Sequence, residues 1–497
     1  MRRIYLILFI LVMGWIDLLY VSAQEGKSIK LDLISTVQIA NSKSLAAFKA
    51  KNMYLANYWE YRTYQAERLP SLSLNMTPFR YYSDIISRYD SQKNIDVYRK
   101  QQSLYSSGNL AIEQNFDLTG GTFYVDTELG YFRSFGEKTT NQFSTVPIRI
   151  GYRQDLIGYN QFRWERRIAP VKFKRAQMEL ISELEETAVT ASGYFFDLAM
   201  AQAKLELAEE NQKNTDKLYK IGEEKHKIAS IRQSELLTLE LDRVNAKNSL
   251  LNARIDLKRS MFALAAYLNL DKNTNIKIRL PDFPKKIKLS VEKALMLVHQ
   301  NNPLYLESKQ RLLESRQRLD KTKKESMFNA RFSASMGFNQ VAETFKSAYR
   351  NPLQQDIVTL SLSIPILDWG VRKGRCNMAR NNLNVAELTA QQNENNLEEE
   401  VIITVGDFTV QQQMISSFEK AVQLAKVAYE QTQERFIIGK ADINSLTLSS
   451  NRRQEAQQNF ITSLKNYWQS YFKIRKLTLY DFEKGTSLAV DYNTIGK

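Results

Sequence analysis

Aligned with itself at an offset of 210 residues, this 497-residue chain repeats without a gap. Lys217-Leu218-Tyr219 falls on Val427-Ala428-Tyr429, Glu224 on Glu434, Leu236 on Leu446, Ala246 on Ala456 and Phe262 on Phe472. Further upstream an offset of 258 to 260 brings Leu31-Asp32-Leu33 onto Leu289-Ser290-Val291 and Pro70-Ser71-Leu72 onto Ala330-Arg331-Phe332. Each half therefore reads helix, strand region, long helix, returning helix, with Pro281 and Pro284 in the linker between halves. Two copies are too few for a solenoid, which needs about three to bury a continuous core.

Proline and glycine punctuate the halves unevenly. No proline follows Pro365, no glycine lies between Gly222 and Gly337, and Val171 to Lys227 contains only Gly193 and Gly222 as breakers. Such stretches, rich in Ala, Leu, Glu, Gln and Lys, favour helix. One helix is expected from about Phe162 to about Lys227, far longer than globular helices usually run. Its apolar positions (Leu198, Ala201, Leu205, Ala208, Leu218) trace a narrow seam, as in coiled-coil packing.

Two blocks instead alternate. From Ser71 to about Leu156 come aromatics, glycines and the tight-turn signal Thr119-Gly120-Gly121, followed by Phe123, Val125, Thr127, Leu129 and Tyr131 at every second position. A shorter block runs from Arg331 to Leu367, with Phe332, Ala334, Met336 and Phe338 at the same spacing. This pattern fits barrel strands of about 9–11 residues, and an ordinary half-buried antiparallel sheet fits it as well. Each half has too few strands to close a barrel and helices with one narrow apolar seam, so closure must come from other subunits around an axis.

The first residues carry a leader. Arg2 and Arg3 precede the apolar run Ile4 to Met13, and Val21-Ser22-Ala23 supplies a small-x-small cleavage pattern, so residues 1–23 are expected to be a signal peptide. With Cys376 the single cysteine, export without disulfides suits a bacterial envelope. The net charge of +15 comes from Lys and Arg interspersed with Glu along helical stretches, as on solvated helix faces, so no nucleic acid is expected as a partner. The histidines, His226 and His299, have no metal or catalytic spacing, and neither a phosphate loop nor a nucleophile elbow occurs. No enzyme activity, metal or cofactor is expected. A non-transport periplasmic coiled-coil scaffold or adaptor would explain the long helices but not aromatic strand blocks at matching points of both halves.

At this point the sequence resembles the TolC-like outer-membrane efflux family over essentially the whole mature chain. Leu289-Ser290-Val291-Glu292-Lys293-Ala294-Leu295 with Asn301-Asn302-Pro303-Leu304 looks like the opening helix of each half. Ser363-Ile364-Pro365-Ile366-Leu367-Asp368-Trp369-Gly370 looks like the strand-to-helix junction, and Arg435-Phe436-Ile437-Ile438-Gly439-Lys440 followed by Leu446 looks like the periplasmic helical turn. The resemblance implies an α+β membrane protein of two tandem helix–strand–helix repeats, a trimeric transmembrane β-barrel continued by a periplasmic α-helical barrel. It further implies a bacterial outer-membrane location, a homotrimer, and a periplasmic adaptor (membrane fusion) protein and inner-membrane pump as partners. The function implied is a passive channel subunit in tripartite efflux or type I secretion. The domain reading is then a signal peptide at 1–23 and a first repeat over 24–280, with strands within about 70–157 and long helices over about 160–270. A linker at 281–288 leads to a second repeat over 289–485, with strands within about 330–367 and long helices over about 370–480, and a tail at 486–497.

Two departures from the family pattern stand out. The helical turn with its adaptor contact is expected at Gly439 and Lys440 and, in the first half, at Ala229 and Ser230. Gly439 can end a helix in the left-handed conformation, whereas Ala229 leaves Ser230 or Gly222 to solve the same problem. A periplasmic constriction would draw on Asp442, Ser445, Leu448 and Glu235, although Ser445 and Leu448 stand where the family often has acidic residues. Secondly, Pro70 to Ile150 is some 50 residues longer than the equivalent Ala330 to Leu360. The family has four strands per subunit, and the regular alternation from Phe116 to Tyr131 favours an added hairpin over a loop excursion.

Overall fold

The repeat read from the sequence is present in the structure to within a residue. A computed structural model describes residues 28–497 apart from 93, 136–138, 230, 282–285, 489, 491, 493, 494, 496 and 497. The leader at 1–23 and most of the segment around Pro284 thus lie outside the described residues. Helix α3 (Gln161–Lys227) and helix α8 (Val371–Ile437) both have 67 residues, and their ends coincide at the 210-residue offset. The returning helices α4 (Gln233–Tyr267) and α9 (Ile443–Thr478) start at the same offset. The opening pairs α1 (Leu33–Lys43) with α2 (Leu45–Ala66), and α5 (Val291–Asn301) with α6 (Pro303–Glu325), match at 258. Among the described residues no helix is long and apolar enough to cross a membrane.

Local chemistry sets these boundaries. Asp32 caps α1 by accepting from the Ser35 amide at 2.7 Å, and the Ser35 hydroxyl accepts from the Asp32 amide in return. Asn302 caps α6 through the Leu304 amide at 2.9 Å, with Pro303 at the first helical position, where a missing N–H costs nothing.

The chain divides into two units. One comprises residues 53–179 and 302–397 and holds a six-stranded antiparallel sheet. Its strands are β2 (Ser71–Asp90), β3 (Ile95–Asn115), β4 (Thr122–Phe135), β5 (Thr140–Asp155), β7 (Asn329–Ala342) and β8 (Leu353–Ser363), hydrogen-bonded in that order. The short helix α7 (Phe345–Ala348) sits between the last two. The first half thus supplies four strands and the second two. The added pair is β3–β4, joined at the Thr119-Gly120-Gly121 signal. There the Gly120 amide donates to Phe116 O, and Gly120 takes φ +78°. Next to the sheet, α2 packs on α3 through aromatic rings, Tyr61 stacking on Phe173 at 4.5 Å.

The other unit comprises residues 28–52, 180–301 and 398 onward. Strand β1 (Ser28–Leu31) pairs in parallel with β6 (Asn275–Ile278), Leu31 opposite Ile278. A hairpin of β9 (Tyr480–Asp481) and β10 (Thr486–Ser487) follows α9. The core is apolar and aromatic: Phe195, Phe196, Phe408, Tyr467 and Tyr471 are each at most 2 % exposed. The seam expected on α3 is here, with Leu198, Ala201, Ala208 and Leu218 buried and Leu205 packed beside them. At roughly 1.5–3 kcal/mol per fully buried large apolar side chain, this cluster is the main stabilising element of the unit.

Candidate channel wall and helical turns

The six-stranded sheet has two chemically distinct faces. Leu72, Ile112, Val125, Ile150 and Met336 form one row across β2, β3, β4, β5 and β7 by strand register, and all five are exposed. The neighbouring row on the opposite face is Ser71, Glu113, Tyr124, Gly151 and Ser335. Because side chains alternate with period two, one register slip would exchange the faces, so the sequence pattern fixes the pairing.

Ion pairs tie the polar face together. Arg149 Nε and Nη2 donate to the two oxygens of Asp126 at 2.9 and 2.5 Å, and Asn109 Nδ2 donates to the same carboxylate at 2.9 Å. Arg153 reaches over β4 to Glu113 at 2.7 Å, and Arg331 pairs with Asp155 at 2.9 Å. An apolar outer face and a hydrogen-bonded, charged inner face are what a barrel wall between lipid and water requires. Among the described residues, the outer strands β2 and β8 each have a sheet neighbour on one side only.

The expected turn residues lie at the ends of the long helices, in the other unit. Gly439 takes φ +76°, its amide donates to Phe436 O at 3.0 Å and that of Lys440 to Arg435 O at 2.8 Å, a Schellman-type close of α8. Gly439 and Lys440 are exposed. In the first half the structure corrects the expectation. Ala229 itself adopts φ +56°, with its amide donating to His226 O at 2.9 Å. Gly222 lies inside α3, where an added Cβ would come within 2.4 Å of Leu239 Cδ1, so it serves close helix packing. Ser230 lies outside the described residues. His226, the repeat counterpart of Phe436, donates from Nδ1 to Ile231 O at 3.2 Å and braces the turn.

The four constriction candidates sit on the returning helices. Asp442 is the N-cap of α9 and accepts from the Ser445 amide at 2.8 Å. Hydrogen bonds from Ser445 hold its carboxyl below the ordinary aspartate range. Glu235 reaches back from the first turn of α4 to accept from the Arg232 amide at 2.8 Å. Ser445 and Leu448 are exposed on α9.

Sequence reasoning missed Ile228 and Ile438, which are 75 % and 64 % exposed beside the two turns and coincide at the 210 offset. That coincidence, together with an apolar residue at a solvent-facing turn, was the available signal. Behind the turns, Leu218, Leu239, Tyr429 and Leu446 form one buried cluster. A matched pair of stacked cations backs it, Arg243 over Tyr219 and Arg453 over Tyr429, each at 4.1 Å.

The fold can be compared with that of known proteins. The outer membrane efflux protein family model matches residues 295–478. No curated protein sequence matches the chain. Among solved structures, the outer-membrane channel OprN is similar at 14% identity and a TM-score of 0.63, over 90% of this chain and 89% of that one. The outer membrane protein VceC from Vibrio cholerae gives 14% identity and 0.62, over 92% and 97%. The Campylobacter jejuni CmeC outer membrane channel gives 14% and 0.63, over 93% and 88%. The fold is that of the outer-membrane channels. That fold agrees with the TolC-like resemblance read from the sequence, and the family match lies within the second repeat.

Proposed function

We propose that three copies of this chain form one conduit, a passive channel subunit of a tripartite efflux or type I secretion system. The observation that carries this reading is the two-faced sheet with an open edge at each side. Strands β2 and β8 run in opposite directions, being first and last of six alternating strands, so the edge of one copy can pair antiparallel with the next. Edges left open in lipid would cost several kcal/mol per unsatisfied backbone group, and ring closure removes them.

A periplasmic adaptor protein docks at the helical turns, where Gly439, Lys440 and Ala229 shape the chain reversal and Ile228 and Ile438 offer apolar contacts. An inner-membrane pump supplies cargo and energy. Asp442 and Glu235 bring carboxyl groups to the same end, with Ser445 and Leu448 on the first turns of α9.

Affinity-tagged protein taken from its native envelope in detergent is expected to carry an adaptor and a pump with it. The class of that pump identifies the cargo. Changing Ile228 and Ile438 together to Asp is expected to abolish co-purification while leaving the channel assembly intact. A tagged protein recovered alone from detergent-free extracts, soluble and monomeric, would overturn the proposal in favour of a periplasmic scaffold.

A further inference from the structure

We infer that the added hairpin β3–β4 is part of the membrane wall, so that the shared barrel has 18 strands, six from each of three copies, and a correspondingly wide lumen. The inference rests on the threefold assembly proposed above and goes beyond it in assigning the extra segment.

Four observations place the hairpin in the wall. It is central in the sheet, β3 bonding β2 and β4 bonding β5 along almost their whole lengths, so β2 and β5 cannot both line a barrel without it. Its apolar side chains continue the outer face, with Leu110 and Ile112 on β3 and Phe123 and Val125 on β4 all exposed. Its polar side chains join the inner face, where Asn109 and Arg149 both meet Asp126 and Glu113 meets Arg153. The turn between the two strands is anchored at the helical end. Asn160 Nδ2 donates to Asp117 O at 2.9 Å and Gln114 Nε2 donates to Arg68 O at 2.9 Å, while Arg68 pairs with Asp117.

A loop excursion would show neither a continuous apolar face nor a polar ladder crossing it. At 14 and 21 residues, β4 and β3 both exceed the roughly 9–11 that a tilted strand needs to span the bilayer. An added hairpin contributes two strands, one up and one down, so the edges β2 and β8 keep opposite directions and ring closure is undisturbed. Barrel diameter grows roughly linearly with strand number, so 18 strands make a barrel about 1.5 times as wide as the 12 of a four-strand subunit. At that size barrels enclose an aqueous channel that side chains do not fill.

The test uses the full chain with Cys376 changed to Ser. Cysteines at Ser73 on β2 and, in turn, Ile357, Thr359 or Ser361 on β8 are oxidised in the membrane. One of these pairs is expected to link copies into a trimer. In the same trimer, reconstituted in vesicles, Val125→Cys on the outer face of β4 should react at least tenfold more slowly with a charged maleimide than Tyr124→Cys on the inner face. A fluorophore at Val125→Cys should be quenched by brominated acyl chains. A linked trimer in which both positions react equally and the fluorophore is unquenched overturns the 18-stranded wall while leaving the threefold channel standing. Failure of every pair to link copies overturns the threefold assembly itself, and the strand count with it.

Discussion

The longest helices of the two halves agree in length to the residue, whereas their strand blocks differ by a whole hairpin. α3 and α8 have the same 67 residues at the same offset, yet the first half carries four strands and the second two. The difference follows from how each element is held. A long helix packs through a seam repeating every three to four residues, and any insertion rotates that seam off its partner. An antiparallel sheet accepts a hairpin without reversing the direction of any other strand. Divergence therefore accumulates in the sheet, and in the helices it appears only as side-chain exchange at fixed backbone positions.

The largest expected effect comes from a buried ion network that breaks the symmetry. Arg475 contacts Glu185 at 2.8 Å and Asp481 at 3.4 Å, while its repeat counterpart is the fully buried Ala265. Burial pushes the Glu185 carboxyl up, partly offset by Arg475. Burial also opposes ionisation of Asp481, but the Lys484 amide, the Tyr471 hydroxyl and Arg475 together keep that carboxyl below its ordinary value. Arg475→Ala strands two buried carboxylates and should lower stability by about 3–5 kcal/mol, read as a fall in unfolding temperature of the detergent-solubilised protein. Ala265→Ser, at the matching position without charges, should cost far less than that if symmetry is broken at side-chain level only.

The two helical turns sharpen the comparison at a smaller scale. Gly439 and Ala229 share a left-handed backbone, and nothing lies within 4 Å of a Cβ placed on Gly439. Gly439→Ala should therefore destabilise by about 1 kcal/mol through backbone strain alone, and Ala229→Gly should stabilise by a similar amount. Paired melting curves of the two variants check the signs, and equal signs would contradict the matched geometry.

The smallest effect is in acid. Asp442 caps α9, whereas its counterpart Arg232 makes no side-chain cap bond and relies on Glu235 three residues on. The Asp442 carboxyl is depressed in the folded state, so its contribution is present above the ordinary aspartate pKa and is lost as pH falls through the folded value. Asp442→Asn should flatten the pH dependence of the melting temperature below about pH 4 relative to the parent.

Much of this architecture was legible in the sequence because helices state their period. The seam Leu198, Ala201, Leu205, Ala208, Leu218 and the scarcity of breakers from Val171 to Lys227 and after Pro365 pointed to both long helices, and the self-alignment to their returns. The Thr119-Gly120-Gly121 signal gave the added hairpin, since only a tight turn needs that chemistry. The first-half turn was not legible. An alanine in the left-handed region is held there by its surroundings, and nothing in the residue type announces it. The capping roles of Asp442 and Glu235 were hidden for a related reason: a carboxylate near a helix start looks the same whether it caps the helix or faces a pore.

The claim that one copy cannot close its own sheet is tested most directly by native mass spectrometry of protein extracted from outer membranes in mild detergent. Three chains per particle, holding together until heated, are predicted. A particle of one chain that stays folded and soluble after the detergent is removed would contradict the shared barrel.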